Sequence, residues 1–72
     1  MRFRILQHET GSDNIRIGAA FHQNTRSLED ISEEVKAGFA KRGADDLSKY
    51  FCRVAIVDAD TLSTIANIYN EG

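Results

Sequence analysis

The sequence predicts a small α+β domain in which one helix covers one face of an antiparallel sheet. Three observations carry this. Residues 2–9 and 15–22 alternate apolar and polar side chains on either side of a turn cluster. Residues 28–42 set Leu28, Ile31, Val35 and Phe39 at spacings of 3, 4 and 4, a single apolar stripe on a helix. Residues 51–57, Phe-Cys-Arg-Val-Ala-Ile-Val, are rich in strand formers.

In the first segment Phe3, Ile5, Gln7 and Glu9 share one face, and Arg2, Arg4, Leu6 and His8 the other. Thr10-Gly11-Ser12-Asp13-Asn14 has turn composition. In the second segment Ile15, Ile17, Ala19 and Phe21 alternate with Arg16, Gly18, Ala20 and His22. A register opposing Glu9 to Ile15 pairs Phe3 with Phe21 and Ile5 with Ala19, and puts every odd position on one buried face. Gln23-Asn24-Thr25-Arg26 separates this hairpin from the helix.

Ser27 is placed to cap the helix, with Asp30 at the capping-box position, where Glu or Gln is more usual. Glu29, Asp30, Glu33 and Glu34 fill its first half and Lys36, Lys41 and Arg42 its second, a polarity that suits the helix dipole. Gly43 is placed to end it. Residues 44–50 form a short helical turn or a packed loop, and residues 51–57 a third strand. In the tail, Leu62, Ile65, Ala66 and Tyr69 keep helical spacing, with Asp60 or Thr61 able to cap. The β-branched content of Thr64, Ile65 and Ile68 favours a strand after a turn at Asp58-Ala59-Asp60-Thr61. The expected architecture is a two-layer ββαββ sandwich of sheet order 2-1-3-4, with ββαβα as the alternative. The helix stripe is expected to cover Phe3, Ile5, Ile17 and Phe21.

At 72 residues the chain is one domain, residues 1–72, and its single cysteine forms no internal disulfide. The 42% hydrophobic and 28% charged content argues against disorder. No apolar run reaches the roughly 18–20 residues of a membrane span. Met1-Arg2-Phe3-Arg4 does not resemble a secretion signal, and with one unpaired cysteine this leads to the expectation of a cytoplasmic protein without membrane partners.

The net charge of −2 conceals an asymmetry. The alternation puts Arg2, Arg4, Leu6, His8, Arg16 and His22, with Arg53, on the sheet face away from the helix, whereas Glu29, Glu33 and Glu34 lie on the helix. Each set is a candidate partner surface, the first on the open sheet face and the second on the helix. Each set also suits an ordinary solvated face.

Other residues offer less. His8 and His22 fall at opposite ends of the hairpin, about 20 Å apart, too far to share a metal. Cys52, beside Val54 and Ile56, reads as a small apolar core residue. Asp58-Ala59-Asp60 lacks the glycine and glutamate that complete a calcium loop, and Asp45 and Asp46 suit turns and caps. No nucleophile elbow, zinc-protease motif or phosphate loop is present, so no enzyme, cofactor or metal is expected.

The functional expectation is a non-enzymatic protein-binding module, a small regulatory or accessory protein that occupies a partner's surface. Compact proteins of this size and architecture are frequent among phage and plasmid accessory proteins, including inhibitors of host defence; no motif here carries that analogy. Exposed sheet edges and a thin core suggest a homodimer. The alternative is nucleic-acid binding through the arginine-bearing face, against which stand only three lysines and no central aromatic pair for stacking bases.

Overall fold

The computed structural model describes residues 2–22 and 26–71. The expected Gln23-Asn24-Thr25 turn and Met1 lie outside the described residues. The elements are β1 (Arg2–Glu9), β2 (Ile15–Ile17), β3 (Phe21–His22), α1 (Leu28–Lys41), a 3-10 turn (Leu47–Lys49), β4 (Phe51–Asp58) and β5 (Thr64–Asn70). The chain is therefore α+β, with one helix and a five-stranded antiparallel sheet. The strand order is β2-β1-β4-β5, with β3 also on β1. This differs in detail from the four-strand order 2-1-3-4, because the second expected strand is divided into β2 and β3.

The division follows from a tighter first turn. The Glu9 amide donates to the Asn14 carbonyl at 3.1 Å, and Gly11 takes the left-handed backbone (φ 72°) that a glycine adopts freely. The Asn14 amide donates to Ser12 Oγ at 3.0 Å, and the His8 ring Nε2 bonds the Ser12 carbonyl at 2.8 Å. Ile15 therefore faces His8, not Glu9, and Ile17 faces Leu6. At the far end Phe3 faces Phe21 as expected. The extra residue is taken up between Ile17 and Phe21, where the Gly18 amide donates to the Ile5 carbonyl at 3.0 Å. A one-residue slip reverses every side chain. Ile15 and Ile17 thus turn away from the helix instead of lying under it, and Arg16, opposite Gln7, turns to the helix side.

The helix forms where the stripe and caps place it. Ser27 Oγ accepts from the Asp30 amide at 3.1 Å, and Gly43 ends the helix at φ 89°. Ile31 and Phe39 are buried against Phe3, Val54, Ile56, Ile68 and Leu47. The Phe39 and Phe51 rings stand 5.2 Å apart, and α1 also contacts β5, so the helix leans over the β4–β5 half of the sheet. The tail is a strand, not a helix. Its turn is closed by Asp58, whose Oδ1 accepts from the Asp60 and Thr61 amides at 2.9 Å each. These bonds, the Thr61 amide first, hold the Asp58 carboxyl below its usual range. Leu62, in the same turn, is the one non-glycine residue with positive φ (64°) among the described residues.

Candidate functional site

The ladders place the face of the sheet away from α1 in rows across the strands. One row is Ile15–His8–Arg53–Asn70, the next Ile17–Leu6–Ala55–Asn67, the next Arg4–Val57–Thr64, and the last His22–Arg2. The structure thus brings Arg2, Arg4, His8, His22 and Arg53 to one face, and removes Arg16 to the other by the register slip. His8 and His22 remain at opposite ends of the hairpin. Among the described residues no group of three His, Cys, Asp or Glu side chains comes together as metal ligands would.

Two of the arginines serve the fold. Arg4 Nε donates to the Ala59 carbonyl at 3.0 Å and its Nη1 to the Gly18 carbonyl at 3.1 Å, so the side chain ties the β4–β5 turn to the β2–β3 break. Arg53 donates to Asn67 Oδ1 at 3.5 Å and to Thr64 Oγ1 on β5. Leu6, Ala55 and Val57 form a small buried cluster on this helix-free face, and the Arg4 and Arg53 side chains stand in the rows beside them. Long arginine stems over short apolar side chains are the usual way a one-sided sheet hides its second face. Arg2 is more exposed and reaches Asp60 at 3.8 Å, a surface pair that contributes little stability.

The isoleucines are the feature that sequence reasoning missed. Ile15 is 52% and Ile17 42% exposed, adjacent on the same face and next to Leu6. Their alternation was visible in the sequence, but their face depended on the length of the first turn. The signal that could have found it was Gly11 followed by Ser12, which permits a tighter loop.

The second candidate surface lies on α1. Glu29, Glu33 and Glu34 are exposed. Glu34 is paired with Arg26, and Glu33 reaches Lys36 at 3.7 Å. Glu33 and Glu34 are partly neutralised by these neighbours, and the one large apolar side chain exposed on the helix is Leu28. Cys52 is half-buried, is the extra residue of a bulge in β4, and sets Sγ 3.7 Å from the His8 carbonyl.

On the helix side, the lean of α1 toward β5 leaves a groove of about 550 Å3 above β1 and the β2–β3 break. Its lining includes the apolar Ile5, Phe21, Val35 and Phe39 and the small residues Gly18, Ala19 and Gly38. No helix among the described residues is long and apolar enough to cross a membrane. No protein-family model, curated protein or solved structure matches the chain.

Proposed function

We propose that the chain is a non-enzymatic protein-binding module, a small regulatory or accessory protein that acts by occupying a partner's surface with the helix-free face of its sheet. The exposed Ile15–Ile17 pair carries this reading. Two adjacent aliphatic side chains on a strand, with His8 beside Ile15 and Arg4 and Arg2 in the next rows of the same face, make an apolar centre next to a basic region. Interfaces are built in that way, with a desolvated apolar core and a polar rim. The matching partner surface is an apolar patch bordered by carboxylates. A nucleic acid fits less well, since Arg4 and Arg53 already donate to groups of the fold and the rows of this face hold no aromatic side chain for stacking among the described residues.

The experiment is capture from a native-host lysate with the chain as bait, with and without nuclease, using wild type, Ile15→Ser/Ile17→Ser and Glu33→Ala. Both isoleucines are exposed, so the double variant keeps the fold, which its melting curve checks. The expected result is a defined protein that survives nuclease, disappears with the isoleucine variant and is retained by Glu33→Ala. Loss on nuclease treatment replaces this reading with nucleic-acid binding. Loss with Glu33→Ala alone moves the surface to the helix.

A further inference from the structure

From a second, independent surface we infer that the groove between α1 and β1 seats an acidic peptide segment of a partner protein, with an apolar residue on the groove floor and carboxylates at its arginine-bearing end. This surface lies on the opposite side of the sheet from Ile15 and Ile17, and stands or falls separately from them.

Gly38 is the first observation. It lies inside α1, where glycine weakens a helix relative to alanine through backbone entropy. Its φ is not in the left-handed region, and a Cβ there would meet no atom outside its own helix within 4 Å. The fold therefore neither requires a glycine at this position nor fills the space above it. That space is the groove, and the opposing wall is also small, Gly18 and Ala19. Main chain can approach closely only between walls of this kind.

Charge is the second observation. The Arg26–Glu34 ion pair is part of the groove lining. Toward the first turn of the hairpin stand Arg16, opposite the groove residue Gln7, and Arg42. No ion pair holds either one among the described residues. The Arg42 guanidinium stands 5.0 Å over the Phe39 ring, at the point where the groove meets a second recess lined by Lys49 and by Glu9, whose carboxylate is bonded to the Asn14 amide group. Stacking fixes the guanidinium plane while leaving its N–H edge able to donate to a carboxylate. The lining supplies Ile5, Val35 and Phe39 for an apolar anchor. The volume is in the range that receives a few side chains. A second copy seated through Ile15 and Ile17 is a poorer occupant, because their rows across the sheet hold no carboxylate to meet Arg16 and Arg42.

The test is an NMR titration of the 15N-labelled chain with a short blocked peptide of leucine and phenylalanine interspersed with glutamate, and with its glutamine counterpart. Saturable amide shifts at Gly18, Ala19, Gly38 and Phe39, weaker for the glutamine peptide, are expected. Gly38→Leu fills the groove with a strong helix former, so its melting temperature stays at or above that of wild type while affinity falls by roughly tenfold or more. Arg16→Glu/Arg42→Glu abolishes the preference for the glutamate peptide. Unchanged affinity in a folded Gly38→Leu chain overturns the inference, as does the absence of saturation. Saturable shifts centred on Ile15 and Ile17 also overturn it, and leave the helix-free face as the binding surface.

Discussion

β4 and β2 are both built from aliphatic strand formers, yet they occupy opposite environments. Val54, Ala55, Ile56 and Val57 in β4 are each 0% exposed, whereas Ile15, Arg16 and Ile17 in β2 are all exposed. The difference is in what surrounds each strand. β4 has β1 and β5 on its two sides, α1 over one face, and Arg4 and Arg53 along the other. β2 has β1 on one side, and its isoleucines have no layer above them. Aliphatic composition makes a strand, but only neighbours on both faces make a core. An exposed apolar pair on an otherwise well-packed domain is therefore informative, because the same residue types are fully buried a few strands away.

The largest effect that sharpens this contrast is truncation of equivalent isoleucines. Ile56→Ala opens a cavity in the shared core and is expected to cost about 2–5 kcal/mol. Ile17→Ala removes a side chain already 42% exposed, and is expected to stay within about 0.5 kcal/mol of wild type. Urea unfolding of the two variants compares them directly. Equal losses would mean that β2 is packed as β4 is, and would remove the motive for treating Ile15 and Ile17 as an interface.

A smaller effect separates the arginines. Arg4→Ala loses two hydrogen bonds to carbonyls, at 3.0 and 3.1 Å, and the stem that lies in the row with Val57. The expected cost is about 1–2 kcal/mol. Arg4→Lys keeps the stem but not the planar fork, and recovers part of it. Arg16→Ala, with neither role, is expected to be neutral within about 0.5 kcal/mol. A neutral Arg4→Ala would show that Arg4 is a free surface charge and would restore it to the set available to a ligand.

The helix, its caps, the third and last strands and the turn at Asp58 were legible in the sequence because each depends on local chemistry. Ser27, Gly43 and the Leu28–Ile31–Val35–Phe39 stripe need no knowledge of the rest of the fold. The faces of β2 were not legible in the same way. Both alternating segments were visible, but their register hung on whether five or four residues closed the first turn. Bonds from Asn14 to Ser12 Oγ and from the His8 ring to the Ser12 carbonyl decide it. That single residue carried Arg16 out of the expected basic face and brought Ile15 and Ile17 into it, so the expected site changed from arginine-rich to mixed apolar and cationic. The groove was not legible either, since it arises from the lean of α1 toward β5, which no periodicity encodes. Gly38 within a helical stripe was the one local hint.

The smallest expected effect concerns the turn that completes the well-covered half of the sheet. The Asp58 carboxylate accepts the Thr61 and Asp60 amides, which depress its pKa below the value of about 3.9 that it has in an unfolded chain. Asp46, bonded to the Ser48 hydroxyl and amide, is depressed in the same direction. When the folded pKa is the lower one, the unfolded chain binds more protons as the solution is acidified. The stabilisation is therefore complete above the unfolded value and is lost as pH falls through the folded value. Asp58→Asn keeps an oxygen able to accept both amides but removes the charge. Near neutral pH its melting temperature should lie a little below that of wild type, and the two should converge under strongly acidic conditions. A gap that stays constant as the pH is lowered would place the effect in the shape of the turn and not in the carboxylate charge. The divided β2–β3 half, whose first turn is fixed by Gly11 and Ser12, should show no matching change when Ser12→Ala removes its hydroxyl acceptor: that variant should lose stability equally at both pH values.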